Sequence, residues 1–118
     1  MRVLFDQGTP VPLRESLTLH EVSTASERGW SRYTNGELLD AAEREGFAVL
    51  VTTDSNLKYQ QNPTERSMAI VVLLSTSWPR IQLATASVIA AVNGAMPGSY
   101  IEVPIPAAGP DETEMRSV

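Results

Sequence analysis

The stretch AVLVTTD, residues 48–54, is an almost uninterrupted apolar run that ends in a carboxylate. Strands that are covered on both faces have this composition, and such strands belong mostly to parallel sheets flanked by helices. The run RVLF, residues 2–5, has the same form and is followed by Asp6. A third run, MAIVVLLS at residues 68–75, is the most apolar. Together the three runs predict buried parallel strands.

Helix signals separate these strands. In TNGELLDAAEREGF, Asn35 is a good N-cap, Glu37 falls in the first turn and Gly46 is a natural stop. A second helix is predicted over residues 78–95. Two weaker segments with partial alternation complete a sheet of about five strands, at residues 19–23 and 99–106. This order predicts an α/β fold, a three-layer α/β/α sandwich with a mainly parallel sheet.

The totals suit one small domain. The chain has 118 residues and no cysteine, which excludes disulfides and thiolate metal sites. We place the domain at residues 1–106 and expect the small, polar, acidic segment 107–118 to be disordered. No segment approaches the ~20 apolar residues that span a bilayer, and Asp6 interrupts any signal-peptide pattern. We therefore expect a cytoplasmic protein with no membrane contact.

Three acids are predicted to converge at one edge of the sheet. Asp6 and Asp54 follow strand ends, and Glu37 opens a helix that enters from the same edge. Ligands of open α/β sheets bind beyond the carboxyl ends of the strands. Taken singly, each acid is better explained as a turn former or a first-turn residue. Taken together, the three favour a site.

Crowded carboxylates raise one another's pKa unless a cation lies between them. Mg²⁺ and Mn²⁺ prefer oxygen ligands, and a cation held in this way can activate water and stabilise charge on a phosphodiester. The net charge of −5 argues against non-specific binding to nucleic acid, although bound cations would offset part of it. The acids therefore predict a site for Mg²⁺ or Mn²⁺.

Three segments in order, LFDQGTP (4–10), NGELLDAAEREGFAVLVTTDSNL (35–57) and YQQN (59–62), resemble the PIN-like domains. These domains are small relatives of PIN-domain nucleases, many of which are the RNase toxins of toxin–antitoxin pairs. The resemblance covers residues 2–106. It implies the same parallel α/β fold and a metal-dependent ribonuclease site.

The PIN-like pattern has Asp-Glu after one strand, acids at a helix start and Asp-x-Asp after a later strand. Asp6, Glu37 and Asp54 match acids of this pattern and are the catalytic and metal-binding residues that the resemblance implies. Gln7 stands where the pattern often has Glu, and Asn56 where it usually has the second Asp. An amide can still offer an oxygen to a metal or a hydrogen bond to phosphate, but it carries no charge. Weaker cation binding is expected.

Two residues on the connection after Asp54 are candidates for substrate contact. Lys58 could meet a phosphate and Tyr59 could stack on a base. A solvated polar loop packed by one aromatic ring explains them equally well. The segment YQQN that contains Tyr59 has no evident physical explanation in the sequence.

Two functions remain open. The first is a metal-dependent ribonuclease, with RNA as substrate and a small antitoxin as partner. The second is a module that kept the fold, lost the charge needed for turnover, and binds RNA or a protein through the same edge. The amides at positions 7 and 56 favour the second, and the three acids favour the first. The family resemblance also suggests a homodimer.

Overall fold

A computed structural model of the chain describes residues 1–106, within which five strands form one sheet. The strands are β1 (Arg2–Phe5), β2 (Glu21–Thr24), β3 (Val49–Thr52), β4 (Ala69–Leu73) and β5 (Tyr100–Val103). Every neighbouring pair is parallel, and the strand order is β2-β1-β3-β4-β5. The prediction of a parallel sheet of about five strands is confirmed.

Helices cover both faces of this sheet. They are α1 (Asn35–Arg44), α2 (Leu57–Gln60), α3 (Trp78–Gln82) and α4 (Thr85–Asn93), with 3-10 turns at Val11–Ser16 and Pro63–Glu65. Because successive strand residues point to opposite faces, Phe5 packs in a core cluster with Val88 of α4, whereas Leu4 packs in a second cluster with Leu39 of α1. The three-layer α/β/α arrangement follows from these two cores.

The strand order places a topological switch point between β1 and β3. From β1 the chain crosses to β2 on one side, then returns to β3 on the other side of β1. In the register of this pair, Phe5 lies opposite Val51, so both strands end at the same level. Crevices at switch points, beyond the carboxyl ends of the strands, are where open α/β sheets bind ligands.

Some boundaries differ from those that the sequence predicts. The helix expected over 78–95 is divided into α3 and α4, because Leu83 and Ala84 form tight turns through bonds to Arg80 and Ile81. The predicted tail, 107–118, lies outside the described residues. Within residues 1–106, no helix combines the length and apolarity needed to cross a bilayer.

Ile70 in β4 tests the core, because its side chain is fully buried between the sheet and α1. We expect Ile70→Ala to lower the free energy of unfolding by about 3 kcal/mol, through lost apolar burial and the cavity left behind. Urea denaturation measures the change. Leu83→Ala, at a side chain that is 64% exposed, is the control and should change stability by less than ~0.5 kcal/mol.

Candidate functional site

Asp6 lies directly beyond β1, at the switch point, and its carboxyl group is held by two threonines. The Thr52 hydroxyl donates a short hydrogen bond to Oδ2, and Thr9 Oγ1 lies 2.7 Å from Oδ1. The turn that follows is tight, since a Cβ at Gly8 would lie 2.6 Å from Thr53 Oγ1. Glycine at position 8 therefore lets the two strand ends approach closely.

Asp54 lies beyond β3 and is joined to Asp6 through Thr52. The Thr52 hydroxyl that donates to Asp6 also accepts the Asp54 N–H at 3.0 Å. The Asp54 carboxylate accepts the Asn56 N–H at 2.9 Å and the Asn35 side-chain amide at 3.1 Å. The first residue of α1 therefore orients Asp54, and both acids lie at the carboxyl edge of the sheet.

Glu37 also lies in the first turn of α1, where it completes a capping box. Its carboxylate accepts the Thr34 N–H at 2.9 Å, while the Thr34 hydroxyl accepts the Glu37 N–H at 3.2 Å. These bonds satisfy backbone donors that a helix start otherwise leaves without partners. In this conformation the Glu37 carboxylate stabilises the start of α1 and is engaged by the Thr34 backbone.

The remaining predicted ligands are amides at the rim. Gln7 is exposed and lines a cleft of about 130 Å³ with Asp6. Asn56 is exposed at the start of α2, where its side chain makes no capping bond. Across residues 1–106, the side chains form no group of three or more His, Cys, Asp or Glu placed to hold a metal ion. The ligand set that includes Glu37 stays a prediction.

Lys58 and Tyr59 lie on α2, beside a polar pair on β5. Lys58 Nζ is 3.2 Å from the Glu102 carboxylate and 5.3 Å from the Tyr59 ring centre. The hydrogen bond to Glu102 raises the pKa of Lys58. Burial, followed by the bond that its hydroxyl makes to Glu102, raises the pKa of Tyr100 to about 12. Glu102 therefore offsets the charge of Lys58, although the ammonium group has further hydrogens that could meet a phosphate.

The segment YQQN now has a structural role. Gln60 accepts a bond of 2.8 Å from the Asn35 amide, which also holds Asp54. Gln61 accepts a bond of 2.9 Å from Arg66 and packs against Gly36, where a Cβ would lie 3.1 Å from its amide nitrogen. The glutamines therefore fasten the connection after β3 to the first turn of α1.

The hydrogen-bond geometry around Asp6 can accommodate a protonated carboxyl. Thr9 Oγ1 has one hydrogen but lies near two acceptors, Asp6 Oδ1 at 2.7 Å and the Val51 carbonyl at 2.9 Å. A proton on Oδ1 satisfies both contacts, because Asp6 then donates to Thr9 and Thr9 to Val51. Burial raises the pKa of Asp6, although hydrogen bonds from the side chains of Thr52 and Thr9 and from the backbone of Gly8 and Thr9 act in the opposite direction.

Fold and site together define a doubly wound parallel α/β domain with Asp6 and Asp54 at the carboxyl ends of β1 and β3, on either side of the switch point. A comparison with models of known protein families finds no match to this chain. Comparisons with curated proteins and with solved structures also find no match. The class of fold is therefore established by the strand order alone, and the PIN-like resemblance remains a prediction.

The residues that organise the carboxyl edge were not predicted from the sequence. Thr9 contacts Asp6 and Asn35 contacts Asp54, whereas Thr52 contacts both the Asp6 carboxyl and the Asp54 backbone. A signal was present for Thr52, since a hydroxyl residue at the end of an apolar strand needs a buried hydrogen-bond partner. Its partner could not be known without the pairing of β1 with β3.

Asp6→Asn should raise the free energy of unfolding at pH 7 by about 1 kcal/mol, which corresponds to a rise of about 4 °C in the thermal unfolding midpoint. The new amide donates to Thr9 and accepts from Thr52, as protonated Asp6 does. Wild-type Asp6 contributes fully below its ordinary pKa of 3.8 and loses that contribution as pH rises through its raised folded value. The gain should therefore shrink as pH falls toward 4.

Thermal melts of wild type and Asp6→Asn between pH 4 and 8 measure this difference. Glu21→Gln, an exposed acid at the opposite edge of the sheet, is the matched control and should match wild type throughout. A variant at position 6 that is less stable than wild type at pH 7 would contradict the proton assignment.

Two substitutions of Glu37 distinguish the effect of its capping hydrogen bond from the effect of its negative charge. A capping box accepts glutamine as well as glutamate. We therefore expect Glu37→Gln to retain wild-type stability within ~0.5 kcal/mol, and Glu37→Ala to lose about 1 kcal/mol. Urea denaturation gives both values. Equal losses in the two variants would show that the charge, and not the capping bond, stabilises this helix start.

Proposed function

We propose that the protein is a metal-dependent ribonuclease whose site lies at the carboxyl ends of β1 and β3. One observation carries the proposal: the Thr52 hydroxyl bonds Asp6 and also the backbone of Asp54, so two acids from separate strands share the switch point. Acids fixed at that edge are placed for chemistry on a bound ligand, because sheet and helix contacts hold them before it arrives.

The donor set suits Mg²⁺ or Mn²⁺. Mg²⁺ is commonly bound by one or two carboxylates together with waters and substrate phosphates, so Asp6 and Asp54 supply enough protein ligands. Asn56 can add a neutral oxygen, and Glu37 can add a charge if it leaves the capping box. A bound cation would supply an activated water and would offset charge on the phosphodiester.

The chain's own residues have separate parts in this proposal. Asp6 would hold the cation through its ionised carboxylate, and because burial raises the pKa of Asp6, cation binding there would release a proton over a wider pH range than at an exposed aspartate. Asn35 holds the Asp54 carboxylate in one orientation through its amide. Gln7, at the rim of the cleft, can donate a hydrogen bond to the scissile phosphate without adding charge.

A second function has an observation in its favour. Glu37 is engaged in the capping box, and amides replace acids at positions 7 and 56. An edge with two available carboxylates binds a cation more weakly than one with four. The alternative is therefore a module that binds RNA, or a protein partner, at the same edge without turnover.

The remaining proposals concern partners and setting. A ribonuclease of this type acts on cellular RNA, which places the activity in the cytoplasm. A small antitoxin protein and a second copy of this chain are the protein partners that the PIN-like resemblance suggests. Size-exclusion chromatography with light scattering measures whether the isolated chain is a homodimer.

Cleavage of a mixed single-stranded RNA in Mn²⁺ tests the proposed function. We expect wild type to cleave, and Asp6→Asn and Asp54→Asn to be at least about a hundredfold slower, because each removes a charged ligand. Glu21→Gln should retain the wild-type rate. Since Asp6→Asn is expected to be the more stable protein, unfolding cannot explain its loss of activity.

If wild type and both asparagine variants are equally inert while RNA still binds, the enzyme is rejected and the binding module is supported. Mn²⁺ should also raise the thermal midpoint of wild type but not that of Asp54→Asn. No shift in either protein would reject the cation site itself.

A further inference from the structure

The cleft beside Asp6 has an aromatic wall that the proposed chemistry does not use. Besides Asp6 and Gln7, the cleft is lined by Trp30, Tyr33 and Asn35, which precede or open α1. Its volume is about 130 Å³, well below the ~300 Å³ of the smallest drug-sized pockets. A cleft of this size suits one planar ring and not a larger ligand.

Trp30 and Tyr33 form a stacked pair. Their ring centres are 6.2 Å apart and their planes differ by 14°. The Phe47 ring meets Trp30 edge-on at 6.1 Å, and the Arg28 guanidinium lies 5.0 Å from the Trp30 ring centre, so Trp30 is fixed from several directions. Tyr33 is 43% exposed. The pair therefore presents a rigid platform with free aromatic surface.

Polar groups around the platform can form hydrogen bonds with the edge of a planar ring. The Asn35 amide donates its two hydrogens to Asp54 and Gln60, which leaves its oxygen to accept a bond. Gln7 offers both a donor and an acceptor at the rim. Stacking surface flanked by amides is the chemistry that binds an unpaired nucleobase.

The residues of this wall also suit a base better than a phosphate. Trp30 and Tyr33 offer aromatic faces, the two side chains beside them offer amides, and within residues 1–106 the lining of the cleft includes no lysine or arginine. A larger hollow beside the C-terminal half of α1 is a weaker candidate, because Arg28 on its wall already pairs with Glu45 at 2.7 Å.

We propose that Trp30 and Tyr33 form a stacking subsite for one unpaired base of single-stranded RNA, next to the carboxyl group of Asp6. The subsite rests on the proposed function, because it positions the neighbouring phosphodiester at the acidic edge. Tyr33 supplies the ligand-facing ring, Trp30 supports it from behind, and Gln7 and Asn35 contact the edge of the base.

Quenching of Trp30 fluorescence tests the subsite. In a Trp78→Phe background Trp30 is the remaining tryptophan. Stopped-flow mixing with a five-nucleotide single-stranded RNA in Mg²⁺ is compared with the same backbone made fully abasic, and quenching is read before any cleavage. We expect the normal RNA to quench Trp30, the abasic chain to leave it unchanged, and Tyr33→Leu to weaken RNA binding about tenfold.

Two further variants locate the effect. Tyr33→Phe keeps the ring and should bind as wild type. Leu19→Ala, at a side chain that is 80% exposed and precedes β2, should also bind as wild type. Equal binding of the two probes, no binding of either, or a loss in Tyr59→Leu instead of Tyr33→Leu would overturn the subsite.

The outcome is separate from that of the cleavage test. Base-dependent quenching in a protein that cuts no RNA supports the subsite and rejects the nuclease. If Tyr33→Leu cleaves and binds RNA with the wild-type rate and affinity, the subsite is rejected and the nuclease proposal is retained.

Discussion

The hydroxyl group of Thr52 connects the two halves of the carboxyl edge. It donates to the Asp6 carboxyl and accepts the Asp54 N–H, so the ends of β1 and β3 are fixed relative to each other. The bond exists because the two strands pair in parallel with Phe5 opposite Val51. Any cation or substrate at this edge would meet acids that are already positioned, and little ordering would remain for the binding step.

A second layer of contacts attaches α1 to that edge. Asn35 donates hydrogen bonds to both Asp54 and Gln60. Arg66 donates to Gln61 and also to the Glu43 carboxylate of α1, where the guanidinium nitrogen lies 2.7 Å from the carboxylate oxygen. Glu43 binds Ser67 as well, and hydrogen bonds from Arg66 and Ser67 outweigh burial and lower its pKa. Most of these groups are partly exposed, so their value lies in geometry more than in stability.

Asp6 combines a stability cost with a proposed functional role. Burial raises the pKa of the Asp6 carboxyl, so a charge costs more free energy there than on an exposed aspartate. An asparagine would satisfy the same contacts without a charge, yet the chain carries aspartate there. Groups that the fold alone would replace are commonly kept for a ligand, since function and stability compete at such positions. A structural turn former would show no such conflict.

The sequence by itself determined the elements and their class. Continuous apolar runs at 2–5 and 48–52 required strands covered on both faces, and the helix signals between strands required a parallel sheet. Those rules also placed Asp6 and Asp54 at one edge, because the carboxyl ends of parallel strands coincide. The same local rules merged α3 and α4 into one helix, since their apolar faces have continuous helical spacing.

Tertiary structure decided how Asp6 and Asp54 are held. The role of Glu37 is local, because the N-cap of α1 is Thr34, and not the predicted Asn35, and Thr34 forms a capping box with Glu37 three residues later. The links from Thr9 and Thr52 to Asp6, and the wall formed by Trp30 and Tyr33, join residues whose neighbours are set by strand order and loop path. Local sequence patterns encode the period of an element and its ends, whereas contacts between distant side chains exist only after the sheet has assembled.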